Sequence, residues 1–547
     1  MGIDLGTTYS AVAVVEATGV PRVVNNGEGS AITPSVVLFK NAKGKDEPVV
    51  GGAAKRQAGL RPDDVVQHVK RYMGDPSWRF DSSNDESYRP EEVSAIILRA
   101  LVRAAEAELG ETIDDVVITV PAYFDDSRRT ATRQAGEIAG LNVLRVLNEP
   151  TAAALSYGLS SDDDGIVLVY DLGGGTFDVT ILGIEDSRFE VLATDGDRNL
   201  GGLDWDNALM KLVVDELEAT HGVTDFWDDV DAVALLREKT EQAKRALSAV
   251  ETTSIQLSLD IGHFSVDVTR EGFEAATKSL LRRTQELVED TLDESGLDWD
   301  DIDSVLLVGG STRMPAVSAL LARLSGANPV EGVNPDEAVA LGAAIQAGIE
   351  TGGEGDLSDV VIEDVTSQAL GTVAQDDDGV DRNWVVIERN TKVPATGEQI
   401  LTTLSPRTEL HVWVTQGDDP DIDFTTEIGH GVFPLEEEWP TGTDFRVVYH
   451  YDIDQTVTVE VFRLPEDLLV GVFEIDRVAN LTEEAVEAAA AKVGAMGADE
   501  AAAPAESAPA APSVPTKPSG LPTLPTAASQ STAPAQTSAP APRPSDR

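Results

Sequence analysis

Two short stretches of this chain combine an aspartate, glycine and threonine hydroxyls in a way suited to gripping a chain of phosphates. Asp4-Leu5-Gly6-Thr7-Thr8 lies near the start, and Asp171-Leu172-Gly173-Gly174-Gly175-Thr176 lies far downstream. Glycine leaves backbone N–H groups open to a ligand, and threonine adds a hydroxyl donor. An aspartate at a strand end can hold a hydrated Mg²⁺. Apolar, β-rich runs adjoin both stretches, at 11–15 after the first and at 166–170 and 177–182 around the second. Each stretch therefore reads as a hairpin turn. Two such turns facing each other across a cleft would clamp a nucleotide's phosphates.

A third segment belongs with them. A β-type run at 305–308 leads into Gly309-Gly310-Ser311-Thr312-Arg313-Met314-Pro315, with proline placed for a first helical turn. Such a junction lets backbone approach an adenosine or phosphate closely. Glu241, Lys244, Arg245 and Ser248 recur at helical spacing and share one face, which suits a ribose and adenine. The plain alternative for that face is solvated charge, since surface pairs at this spacing are common and contribute little.

These residues need a scaffold. The spacing predicts strands over 116–120, 166–170, 177–184, 254–259 and 305–308, alternating with helices over 94–109, 127–139, 205–220, 233–248 and 277–295. That is an α/β pattern. The repeated turn implies two related halves meeting near Glu149, with the ligand between them and closure as the natural motion. The 547 residues suffice for more than one domain. A formal net charge of -55 argues against nucleic acid or an anionic membrane as a general partner. Acidity spread along most of the chain suits molar salt, where the Debye length is about 3 Å and self-repulsion is screened. Without cysteine there are no disulfides or thiolate ligands, and six scattered histidines make zinc an unfavoured reading. No signal peptide or bilayer-length apolar run is read, so the expected location is the cytoplasm.

Taken in order, the motifs resemble the seventy-kilodalton heat-shock chaperones. The resemblance rests on 2–10, Thr119-Val120-Pro121-Ala122-Tyr123-Phe124, Asn148-Glu149-Pro150-Thr151-Ala152-Ala153-Ala154, 171–179, Gly201-Gly202 with Asp204, 309–315 and Asn334-Pro335-Asp336-Glu337-Ala338. It implies an actin-like ATPase fold, two-lobed and duplicated, over residues 1–350, with ATP or ADP, Mg²⁺ and K⁺ as candidate ligands. It further implies that Asp4 and Asp171 order waters around Mg²⁺, and that Gly6, Thr7, Thr8, Tyr9, Gly174, Gly175 and Thr176 cradle the phosphates. Lys70 matches a lysine that contacts the γ-phosphate and attacking water, and Glu149 and Asp178 match carboxylates that order that water. Gly202, Glu241, Lys244, Arg245, Ser248, Gly309, Gly310, Ser311 and Arg313 fall to the nucleotide, with Asp336 beside the closed cleft.

The rest of the chain changes character. Residues 351–364 read as a hinge and linker, 365–480 as a small β-sandwich-like, peptide-binding domain, 481–493 as a short helix, and 494–547 as a disordered Ala/Pro/Ser/Thr tail. Glu363 stands where the family's linker is apolar, and a charge there is expected to weaken linker burial. The peptide-cradling loops do not align, and the helical lid is replaced by one helix and a tail. The leading reading is an ATP-hydrolysing chaperone of unfolded or extended polypeptide, with J-domain and nucleotide-exchange co-chaperones implied by resemblance. The alternatives are a nucleotide-controlled, exchange-factor-like module for one partner and, less favoured, a sugar kinase.

Overall fold

Both Asp-Leu-Gly turns close antiparallel hairpins. The strands Gly2–Asp4 and Tyr9–Val15 pair so that Asp4 lies opposite Ala11, and Gly165–Leu172 pairs with Phe177–Glu185 so that Leu172 lies opposite Phe177. The computed structural model describes residues 1–496 apart from 17, 43, 160–163, 260, 331–333, 353–359, 377, 454–455 and 476–479. The expected tail beyond 496 and most of the expected hinge lie outside the described residues.

Each hairpin sits in its own mixed sheet. In the first, Asp115–Val120 adds parallel to Gly2–Asp4, and Asn142–Asn148 adds parallel to that. In the second, Ser304–Val308 runs parallel to Gly165–Leu172, while Arg188–Asp197 extends the other edge. Strands buried on both faces are continuous apolar runs, as in Val116, Val117 and Ile118, all fully buried. Between the sheets the helices Glu149–Gly158 and Ala338–Glu350 cross so closely that a Cβ on Gly342 would enter the backbone of Ala152. Only glycine at 342 permits that approach.

The helices follow their capping chemistry. Asp125 accepts from the Arg128 N–H at 3.0 Å to open Asp126–Ile138, and Gly140 takes φ 84° just beyond its end. Pro315 opens Pro315–Ser325 from its first position.

The downstream region forms two four-stranded antiparallel sheets. One has the order Asp381–Ile387, Leu370–Gln375, Arg407–Gln416, Thr426–Trp439, and the other Ala395–Thr402, Asp444–Tyr451, Val457–Arg463, Leu468–Glu474. Their inner faces share one core, which includes Val412, Val414, Val447, Tyr449, Val459 and Val461. The Tyr449 hydroxyl ties them by donating to the Gly371 carbonyl at 3.1 Å.

Three segments pin this region to the first 350 residues, and one of them lies within it, where Arg389 pairs with Glu294 at 2.7 Å and Asn390 Oδ1 accepts from the Thr194 N–H at 3.0 Å. Val361–Glu363 adds parallel to the edge strand Arg188–Asp197, setting Glu363 opposite Glu190. Glu363, expected from the sequence to weaken linker burial, stands outside the apolar contact of this docked strand. At a sheet edge its side chain turns outward to Arg188 and Lys392, while Val360 is buried and Ile362 packs on the core beneath. The helix Glu483–Ala495 lies on the other lobe. Ala489 and Val493 enter the apolar cluster around Ile97 and Leu101, and Gln134 pairs with the backbone of Leu481 through both its amide groups.

Candidate functional site

The glycine turns meet. A Cβ on Gly174 would collide with Thr8 Oγ1, and one on Gly175 would come within 2.5 Å of Thr7 Oγ1. The two hairpins therefore approach tip to tip, at a distance that only a missing side chain allows. They form the floor of a cleft of about 580 Å³.

Most of the residues expected from sequence line that cleft. Asp4, Gly6, Thr7, Thr8, Tyr9, Lys70, Glu149, Asp171, Gly174, Thr176, Gly202, Glu241, Lys244, Arg245, Ser248, Gly309, Gly310, Ser311, Arg313 and Asp336 all face it. Gly175 and Asp178 stand behind its wall. The Gly175 carbonyl accepts from Arg71 at 2.8 Å, and Asp178 accepts from the Tyr123 N–H at 3.0 Å. Gly309 takes φ 80°, and a side chain there would strike the Leu172 carbonyl, so glycine lets this turn close on the second hairpin.

The floor is electrostatically strained. Lys70 and Glu149 form a buried ion pair, with Glu149 held at the first position of Glu149–Gly158. Burial, then the charge of Glu149, pushes Asp4 up to about 7 and Asp178 to about 7. The same causes raise Asp171 well above the usual carboxylate range. Asp178 Oδ2 is buried with no hydrogen-bond partner. Clustered acids that resist ionisation are what a divalent cation relieves. The donor set thus fits a magnesium-bound phosphate chain, with Asp4 and Asp171 nearest the turns.

The other wall comes from the helix Val230–Leu247. Its charged face is turned into the cleft rather than to solvent. Lys244 donates to Asp206 at 2.8 Å and to the Gly202 carbonyl at 2.7 Å. Glu241 accepts from Lys55 at 2.8 Å and from the Tyr9 hydroxyl at 3.1 Å. Burial alone would raise the Glu241 pKa, but Lys55 holds it below the usual range. Tyr9 thus points its hydroxyl at the opposite wall, where Arg245 also donates to it at 2.8 Å, rather than at the phosphate end. Arg313 pairs with Asp336 at 2.6 Å.

Sequence reasoning missed Lys55, Arg71, Asp206 and His68. Arg71 follows the matched Lys70 and Asp206 lies two residues past the matched Asp204, so proximity was the available signal. Lys55 and His68 carry no motif. His68 lines the cleft with φ 59° and a partnerless buried Nδ1. Burial and then Arg237 drive its pKa down to about 3.

Comparison with known proteins agrees with this geometry. The family model described as Hsp70 protein matches residues 1–83 and 77–463. Among curated relatives, the Chaperone protein DnaK of two strains of Halobacterium salinarum is 42% identical over 502 residues, covering 89% of this chain and 76% of the relative. With ordered motifs, abutting phosphate-type turns and a match over most of its length, the chain belongs to the Hsp70 family.

Proposed function

We infer that this chain is an ATP-dependent molecular chaperone whose ATP hydrolysis is coupled to protein folding. Family membership carries an actin-like ATPase fold with a β-sandwich, nucleotide binding with Mg²⁺, and unfolded polypeptide as partner. The observation that supports the site most directly is the tip-to-tip contact of Gly174 and Gly175 with Thr8 and Thr7 over a cluster of buried acids.

The chain's own residues then take these roles. Backbone N–H groups and hydroxyls of the two turns bind the phosphates, and Asp4 and Asp171 hold the waters around Mg²⁺. A magnesium ion held there would supply charge neutralisation at the transferred phosphoryl group, and these residues would add in-line positioning. Lys70 supplies a point charge beside the γ-phosphate, held in place by Glu149. Asp178, held from behind by the Tyr123 N–H, adds its carboxyl to the field around Lys70 and Glu149. Glu241, Lys244, Arg245, Ser248, Gly310 and Arg313 hold the adenosine, and residues 365–480 bind extended polypeptide through backbone hydrogen bonds and apolar contacts. K⁺ beside the phosphates, J-domain and exchange co-chaperones, and a cytoplasmic location are read from the family likeness. Among the described residues no helix is long and apolar enough to cross a membrane. The acidity is read as adaptation to a salt-rich cytosol, a reading that the Halobacterium relatives support.

Mg²⁺-ATP hydrolysis measured in molar KCl, with and without an unfolded polypeptide, tests this. Stimulation by polypeptide is expected; absence of hydrolysis would overturn the reading.

A further inference from the structure

Three of the six histidines lie in the β-rich region, and two of them meet. His411 is on Arg407–Gln416 and His430 on its antiparallel neighbour Thr426–Trp439. The register sets Trp413 opposite His430 and His411 opposite Val432, which makes the histidines diagonal neighbours on one face. Leu410, Val412 and Val414 alternate with them and fill the core, so this face points outward. His411 Nδ1 and His430 Nε2 stand 3.0 Å apart, and His411 Nε2 is 3.1 Å from Glu409 Oε1. An ionised carboxylate accepts but cannot donate. Nε2 of His411 therefore carries a proton, and in the neutral ring its Nδ1 accepts from His430 Nε2. The Trp413 ring stacks on His430, with centroids 4.7 Å apart and planes 5° apart, and on His411 at 5.6 Å.

We propose that His411 and His430 form a two-histidine site for a divalent transition-metal ion, with Glu409 orienting His411. The 3.0 Å separation is that of an N–H···N hydrogen bond, so an ion bound here takes the place of the shared proton. Two imidazoles completed by water suit Cu²⁺ and Ni²⁺, with Cu²⁺ the highest in the order of divalent affinities. His430 is exposed, so its ring can turn toward solvent to share an ion with His411. It then ligates through Nε2 as the tautomer with its proton on Nδ1. A carboxylate behind a ligating imidazole fixes the tautomer and raises basicity. Among the described residues no group of three or more metal-ligating side chains comes together, so water completes the coordination.

The test uses the untagged, chelator-stripped full chain titrated with CuSO₄ in KCl at neutral pH. One tight equivalent is expected, with two-nitrogen coupling in the electron paramagnetic resonance spectrum and quenching of Trp413 fluorescence. Ni²⁺ and Zn²⁺ should bind more weakly, in line with the order of divalent affinities. His411→Ala and His430→Ala should each lose the two-nitrogen coupling while keeping the native circular dichroism. Glu409→Gln should keep the stoichiometry but bind about 10–100-fold more weakly. Trp413→Phe should keep the coupling and lose the quench. An unchanged two-nitrogen signal in His430→Ala, or oxygen-only ligation in the wild type, would overturn the proposal.

Discussion

The first 350 residues bury charge, and the β-rich region does not. Lys70, Arg129, Glu149, Asp171, Asp178 and Asp206 all lie in the interior of the former. Among the described residues of 365–496, no Asp, Glu, Lys or Arg is buried, and the interior polar groups are neutral ones such as Thr372, Asn383 and Gln416. Removing charge from water is costly unless it is paired or neutralised by a ligand. A fold that keeps clustered acids inside must gain something from a bound cation, whereas a fold built only to hold a surface in place has no reason to bear that strain.

The comparison can be tested hardest in the neutral core. Phe433 packs on Phe473 at 5.5 Å and against Gly471. Phe433→Ala should destabilise the β-rich region by about 3–5 kcal/mol. Calorimetric nucleotide affinity should stay unchanged, and a parallel loss of nucleotide binding would show that the two regions do not melt separately. Next comes the charged interior. Lys70→Ala should leave ATP bound but slow single-turnover hydrolysis about 10²-fold or more. An undiminished rate would make the buried pair with Glu149 structural only.

A smaller effect concerns His68. Its folded pKa of about 3 lies below the unfolded value, so its contribution to stability is present above about pH 6.5 and is lost as pH falls toward 3. Over that window it steepens the acid limb by up to about 1.4 kcal/mol per pH unit. His68→Asn tolerates the left-handed backbone and should flatten that limb in urea titrations run at stepped pH. Equal slopes would place the imidazole in contact with solvent. The smallest effect is expected at Glu363. Its partners are exposed, so in molar KCl the Glu363→Ala melting midpoint should match the wild type. A clear drop would mean that the linker strand depends on that charge.

The sequence foretold the cleft better than the β-rich region for a physical reason. Close backbone approach to a ligand demands glycine, and glycine with threonine and aspartate is visible as a local string, as at 4–8 and 171–176. The helix over 233–248 was likewise legible, and its Glu241 and Lys244 were assigned to the nucleotide, but not the partners that hold them in the cleft, because Lys55 and Asp206 come from distant segments. The outward placement of Glu363 was not legible, because strand-edge position, not residue type, decides where its side chain points. His411 and His430 are 19 residues apart and were passed over for want of helical spacing, whereas a cross-strand register brings them together. The helix at 483–495 was expected, but a small apolar face at Ala489 and Val493 does not name the lobe it will cover.

That helix and the linker strand hold opposite lobes. The β-rich region enters through a segment fastened to Arg188–Asp197 and leaves through one fastened to the helices Pro90–Leu109 and Asp126–Ile138. Like a bail, it has two ends that hook onto separate jaws. A rotation of one jaw against the other would carry the hooks with it and load the sheets between them, with no long wire of contacts required.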